Sequence, residues 1–432
     1  MDQQELVLTP DEAIMVQEDT VYLPLRPLME KMDYQVFWDA GMQNVSMEKG
    51  DQTYFMTIGS NQYVRNGQTI TLDNAPILVN GKTMVPVTFF TNVMKFEAKM
   101  KAGAYEAVFS INYAPLISTV CARHDVRYIS WVYDCPIHIR DLTTLKNSCN
   151  TIYFFDRVQA EEYRSRGIDA RHMPLAVDTE LYRRIYETRP ERAEREKYET
   201  DIALVGKLYR TEYQHYLQPL PAYQRGRLEG IIAAQLKVYG GYLIPDLVTD
   251  ELLAELNDSY AKASGGKVSI SRRELEFLLA CETTGRERFL VLGLLSRHFA
   301  TALWSNEKDE RLTQVHYYGY ADYYKQMPHI FHDAKINLNI ALRVIQTGIP
   351  LRVLDVMGCG GFVLTNYREE IAEHFVNGAE CVIYEDIEDM YAKAQYYLSH
   401  DTERRQIAAN GLAKVQRDFT FEQALTGMLG AE

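Results

Sequence analysis

The sequence predicts an α/β protein with doubly wound parallel sheets, preceded by a small α+β repeat module. Three observations predict it. Between residues 105 and 415, short apolar runs suited to buried strands alternate with helical patterns, as in a parallel sheet covered by helices. Residues 334–366 read as strand, loop, helix, glycine turn and strand, and the rest of the chain is organised around them. Residues 1–104 contain an internal repeat.

The repeat comes first in the chain. Val21-Tyr22-Leu23-Pro24-Leu25 and Met32–Val36 recur as Met84-Val85-Pro86-Val87 and Met94–Ala98, with Pro24 to Pro86 and Met32 to Met94 both offset by 62 residues. Each copy reads as a strand ending at proline, an amphipathic helix and a second strand. Between the copies lie alternating strands with hairpin signals at Asn66-Gly67 and Asn80-Gly81.

Glu106–Ile111, Arg127–Tyr133, Thr151–Phe155 and Arg171–Ala176 then read as strands, with helices at Pro115–His124, Leu142–Ser148 and Gln159–Arg166. Arg183–Thr200 is dense in Arg and Glu and reads as a solvated linker or exposed helix. Asp201–Val205 is a strand running into Gly206-Lys207, and 215–300 are mostly helical with breaks at Gly240-Gly241 and Ser264-Gly265-Gly266. Strands follow at Ala300–Trp304 and Gln314–Tyr318. After the central stretch come helices Tyr367–Phe375, Ile387–Ser399 and Thr402–Val415, with a strand at Cys381–Tyr384 and a last helix at Phe419–Leu429.

Composition bounds the function. The 432 residues suffice for two or three domains, and a net charge of −13 disfavours nucleic-acid and anionic-membrane surfaces, which reward Lys and Arg. No apolar run approaches the roughly 20 residues of a membrane span. The start of the chain lacks the features of a secretory signal. The six cysteines show no metal-ligand spacing and read as reduced thiols, so a cytoplasmic location and the absence of a metal are expected.

In the central stretch, Gly348-Ile349-Pro350 opens a helix at Leu351, whose free N–H groups and dipole suit a phosphate or pyrophosphate. Asp355, one turn in, suits a ribose diol. The Gly358-Cys359-Gly360-Gly361 turn leaves room for a flat ring against the backbone. The alternative is an ordinary βαβ unit with Arg352 and Asp355 as a surface i,i+3 pair. Asn337 and Asn339 alternate with apolar neighbours and need partners, either the Gly348 loop or a ligand. Gly206-Lys207 reads either as a phosphate contact or as a plain surface lysine. Tyr320 reads either as a platform for a base or as a boundary residue. At the ends of two early strands, Asp134 or His138 would take a proton from an acceptor hydroxyl, the alternative being a turn-capping Asp134 before Pro136.

Asp355-Val356-Met357-Gly358-Cys359-Gly360, followed by Val363-Leu364-Thr365, resembles the Glu-Ala-Met-Ala-x-Gly signature of group 1 glycosyltransferases. The fuller pattern from Gly348 to Asn366 resembles the CgeB-type, spore-maturation glycosyltransferase-like family. Asn112-Tyr113, Ser130–Pro136, Phe155-Asp156-Arg157 and Pro174–Asp178 match that family's acceptor-side domain. Residues 10–104 resemble the copper amine oxidase N-terminal-like domain, a module without copper chemistry of its own. This copy has no His before His124.

The resemblance implies a GT-B-like pair of Rossmann-like domains, the first truncated. The boundaries it implies are the module at 1–104, a partial acceptor-side domain at 105–182, a linker at 183–200, a donor domain at 201–415 and a C-terminal helix at 416–432 crossing back. It implies a nucleotide-diphosphate-sugar donor as substrate, an unknown acceptor and no further cofactor. The donor set is Gly206, Lys207, Tyr320, Asn339, Gly348, Leu351, Arg352, Asp355, Gly360, Gly361 and Thr365. Where retaining members carry a second acid, eight positions before the ribose-binding one, this chain has Thr347, so stereochemistry does not carry over. A non-catalytic polymer- or protein-binding module with a decayed transferase domain is the alternative reading.

Overall fold

The structure, a computed structural model, describes residues 15–17, 20–79, 81–95, 106–137 and 142–430. The chain divides into two compact units, residues 1–130 with 139–151, and residues 131–138 with 152–432.

The first unit begins with antiparallel sheet. Gln35–Asp39, Asn44–Lys49, Gln52–Thr57, Gln62–Arg65 and Gln68–Thr71 form a five-stranded meander. Alternation sends Val45, Met47, Tyr54, Met56 and Tyr63 to one face, where they share a core with Leu25, Leu28 and Met29 of the helix Leu25–Lys31 and with Phe89, Phe90 and Val93. Asn66 and Gly67, with φ of 47° and 79°, make the expected two-residue turn between Arg65 and Gln68.

A second antiparallel sheet has the order Met15–Gln17, Thr20–Pro24, Lys82–Pro86, Ile77–Val79. Its two central strands are the two repeat copies, with Leu23 opposite Val85. The helix of the second copy contains a π-helical turn, Phe89–Val93. The strand expected over Phe96-Glu97-Ala98, and Asn80 of the second hairpin, lie outside the described residues.

Ala107–Ile111, Arg127–Val132, Asn150–Phe154 and Ala170–His172 form a four-stranded sheet in chain order. The helix Pro115–His124 has the predicted bounds, with Pro at its first position. The helix expected over Leu142–Ser148 is a 3-10 turn, Thr143–Lys146.

The second unit is built on a six-stranded sheet, parallel throughout. Its order is His316–Gly319, Thr301–Trp304, Ile202–Val205, Ile336–Asn339, Val363–Asn366, Val382–Tyr384. Ile202–Val205 comes first in the chain and sits between strands laid down on either side. The strand order therefore reverses at its edge, the place where open α/β sheets bind ligands beyond their carboxyl ends.

Residues 213–280 pack a helical core of their own. Within it the helix Asp250–Ser264 stops at Gly265 in the left-handed region, φ 64°, where the sequence places a break. The segment Arg183–Thr200, read as a solvated linker or exposed helix, holds the end of the helix Thr179–Glu187 and the whole of the helix Arg192–Tyr198. The last helix, Phe421–Leu429, sets Phe421 6.0 Å from the Trp131 ring, and the Tyr153 hydroxyl donates to the Met428 carbonyl at 3.5 Å. Among the described residues no helix is long and apolar enough to cross a membrane.

Candidate functional site

The central stretch folds as read. The strand Ile336–Asn339 leads through a loop to the helix Leu351–Gly358 and on to Val363–Asn366. Pro350 is the N-cap, with φ −60° and ψ 138°, rather than the first helical residue. This helix carries the chain from the carboxyl end of one parallel strand to the amino end of the next, over about 12 Å for eight residues. The expected donor set is thereby split. Gly206, Lys207, Tyr320, Gly348 and Leu351 lie at or beyond the carboxyl ends, whereas Gly360 and Gly361 lie at the amino ends.

The loop before the helix is not bare. The Asp156 carboxylate accepts hydrogen bonds from the amides of Gln346, Thr347 and Gly348 at 2.8, 2.9 and 3.0 Å. Its other oxygen caps the helix Arg157–Ser165 through Gln159 N at 3.0 Å. Gly348 is held so closely that a Cβ there would lie 2.8 Å from the Phe155 carbonyl oxygen. The space expected for a ring over Gly361 is filled as well. A Cβ on Gly361 would lie 2.2 Å from the Phe331 carbonyl oxygen. Gly348 and Gly361 thus serve the close approach of backbone to backbone.

Asp355 is 2% exposed. Its Oδ1 accepts from the hydroxyls of Tyr182 and Tyr323, both at 2.7 Å, and those hydroxyls lie 2.6 Å apart. Arg352 Nη1 donates to Oδ2 at 3.3 Å, and its guanidinium lies 5.0 Å over the Phe331 ring. The i,i+3 pair exists, but its acid is buried rather than at the surface. Burial pushes the Asp355 carboxyl above the usual carboxylate range, against the pull of Arg352 and the two hydroxyls. The phenols of Tyr182, Tyr323 and Tyr133 are raised, by burial first and then by the charge of Asp355. The sequence reading singled out Asp355 and did not foresee these tyrosines. The one local signal was Tyr182, Ile185 and Tyr186 at helical spacing, across the expected boundary between the acceptor-side segment and the linker.

A second group, not foreseen, gathers at the carboxyl ends of the sheet. Arg288, 8% exposed, donates to the carbonyls of Lys207 and Ile340, one beyond each of two adjacent strands. Arg343 Nη2 pairs with Glu287 Oε2 at 2.6 Å, both fully enclosed, and Arg368 Nη1 donates to the Tyr367 carbonyl at 2.7 Å. Arg343 thus bonds the buried Glu287 carboxylate, Arg288 and Arg368 donate to backbone carbonyls beside it, and the charges of both Glu287 and the buried Asp156 act on Arg368. The Nε atoms of all three arginines, Glu287 Oε1, Asn366 Nδ2 and the Tyr384 hydroxyl have no hydrogen-bond partner. Burial, then the charge of Arg343, lowers Arg368 to about 10, and burial lowers Arg288.

The remaining expected residues are placed as follows. Lys207 is exposed. Tyr320 is 68% exposed, one residue past the strand end at Gly319. Asn339 Nδ2 donates to Thr365 Oγ1 at 2.9 Å and Asn337 Nδ2 to the Phe331 carbonyl at 2.8 Å, so both amides tie neighbouring backbone and strands rather than the Gly348 loop. Asp134 is exposed in the turn after Arg127–Val132. His138 lies outside the described residues.

A cavity of about 920 Å³ opens at the amino ends of the strands, lined by Tyr182, Lys335, Gly358, Cys359, Gly360 and Arg404 among others, and Asp355 does not line it. Among the described residues no three His, Cys, Asp or Glu side chains converge as metal ligands.

The structure is similar to HepE of Anabaena, solved with UDP and glucose (12% identity, 75% of this chain and 77% of that one, TM-score 0.40). It is also similar to sucrose-phosphate synthase of Thermosynechococcus elongatus (14%, 75% and 72%, 0.39) and to TarM of S. aureus (9%, 94% and 81%, 0.41). Similarity at this level sets no residue role here. A protease inhibitor of Brevibacillus choshinensis is 31% identical over 91 residues, 21% of this chain, and the chain spans only 28% of that relative's length. Residues 1–108 match the copper amine oxidase N-terminal domain, and residues 272–430, which hold Asp355 and the arginine cluster, match the glycosyl transferase-like family.

Proposed function

We propose that the chain transfers a sugar from a nucleoside-diphosphate donor to an acceptor hydroxyl. The observation that carries this reading is the surplus of positive charge formed by Arg288, Arg343 and Arg368 against the buried carboxylates Glu287 and Asp156, with the three arginines within the glycosyl transferase-like segment. In the reaction the bond from the anomeric carbon to the diphosphate oxygen breaks, a bond to the acceptor oxygen forms, and the acceptor proton passes to a base. Guanidinium groups held in a low-dielectric site would stabilise the departing diphosphate. Asp134, at the mouth of the early sheet, is the candidate base, and Asp355 would exchange its tyrosine partners for a ribose diol. HepE was solved with UDP, in keeping with a nucleotide donor.

Two observations favour a second reading, a non-catalytic descendant of a transferase. Asp156 occupies the loop amides, and Tyr182 and Tyr323 occupy Asp355. Isothermal titration with UDP, GDP and ADP, and donor hydrolysis with the corresponding sugars, decide between them. Binding that weakens on the order of tenfold or more in Asp355→Ala supports the transferase. No binding of any nucleoside diphosphate at millimolar concentration overturns it.

A further inference from the structure

The meander of the first unit has one face in its core and one face outward. Across that outer face the register aligns Phe37, Ser46, Phe55, Val64 and Thr69 in one row, one residue from each strand. Residues directly opposite one another in an antiparallel pair point to the same side. Phe37 is 50% exposed and Phe55 40% exposed, while the other face of the same sheet buries Val45, Met47, Tyr54, Met56 and Tyr63.

The two rings stand two strands apart, on the order of 10 Å, with only the small Ser46 between them. The rows on either side carry Gln35, Glu48 and Thr53, and Asp39, Asn44 and Thr57. None of these residues is basic. Of the two acids, Asp39 is engaged by the amides of Gly41 and Met42 at 2.8 and 3.1 Å.

Three occupants can be weighed on these facts. A polyanion finds no cation on the face. A second copy of the chain would need roughly 800 Å² of total surface from each partner with a more apolar centre than the rest, and here the two half-exposed rings supply on the order of 200 Å² of it with polar side chains in the rows on both sides. A neutral polysaccharide fits. Its sugar rings have apolar faces that stack on aromatic rings, its hydroxyls match amide and hydroxyl side chains, and two rings with a low saddle between them would clasp alternate units of an extended chain.

We infer that the outer face of the five-stranded sheet is a binding platform for a linear neutral glycan, with Phe37 and Phe55 as its two stacking residues. The inference is independent of the transferase reading, because it concerns the other unit of the chain.

The test uses the full chain. Isothermal titration with cellohexaose, chitohexaose and laminarihexaose, and with the matching disaccharides, should show binding of at least one hexamer and much weaker binding of its disaccharide. Phe37→Ala and Phe55→Ala should each weaken that binding on the order of tenfold, with unchanged circular dichroism because both side chains lie outside the core. Failure of every hexamer to bind overturns the inference, as does equal affinity in both variants. A dimer in solution that the double variant dissolves also overturns it, since the face would then be a self-interface.

Discussion

Removing the Asp156 carboxylate should loosen the loop that leads into the helix Leu351–Gly358. Asp156 is 1% exposed and accepts four backbone N–H bonds, one at a helix N-cap and three in the loop 346–348. Loss of an N-cap costs about 1 kcal/mol, and each buried amide left without an acceptor costs about 1–3 kcal/mol. Taking the lower figure for each amide, because water can enter the space left by the side chain, Asp156→Ala should cost about 4 kcal/mol. Asp156→Asn keeps the volume but offers one carbonyl for two jobs, so it should fall between the wild type and Ala. The assay is urea unfolding followed by tryptophan fluorescence, since two of the three tryptophans, Trp131 and Trp304, lie in the second unit. Amide exchange at 346–348 should quicken in parallel. A loss below about 1 kcal/mol in Asp156→Ala, or Asn no better than Ala, refutes the reasoning.

Three other outcomes follow from the same geometry. Gly361→Ala drives a methyl group into the Phe331 carbonyl oxygen and should lower stability by about 3 kcal/mol or more, read as a fall in melting temperature, whereas Gly378→Ala meets open space and pays only for its φ of 79°. Glu287→Ala leaves the enclosed Arg343 guanidinium without its carboxylate and should cost about 3–5 kcal/mol by chemical denaturation. Asp355 has a carboxyl raised by burial, so the folded state holds its proton more tightly than the unfolded chain does. The stability it lends is full below the ordinary carboxylate pKa of about 3.9 and is lost as pH rises through the folded value. The stability of Asp355→Asn relative to wild type should therefore improve from about pH 4 upward, and a flat or opposite trend in paired urea titrations contradicts the assignment.

Much of the fold is written locally. Ile387–Ser399 has an acidic cap at Asp386 and an apolar stripe, and its bounds in the structure are those its pattern gives. The Asn66-Gly67 turn and the helix Pro115–His124 carry their own punctuation. Site geometry is a different matter, because it depends on partners far apart in sequence. Tyr182 reaches Asp355 across 173 residues and Asp156 reaches Gly348 across 192, and no periodicity encodes such pairs. The arginine cluster escaped notice because Glu287 and Arg288 sit in a helix whose pattern reads as core packing, and only the sheet topology brings Arg343 and Arg368 beside them. The glycines misled for a related reason. A turn rich in Gly has the same spelling whether it makes room for a ligand or for another stretch of main chain, and Gly348 and Gly361 do the latter.

In the first unit, Leu23 lies opposite Val85, the residue that occupies its own place in the other copy. Antiparallel strands that meet at equivalent positions are related by a local dyad, so each copy is the mate against which the other was shaped. Their lengths are consequently locked together. One inserted residue in either strand would turn Leu23 or Val85 to the wrong side and displace its counterpart too.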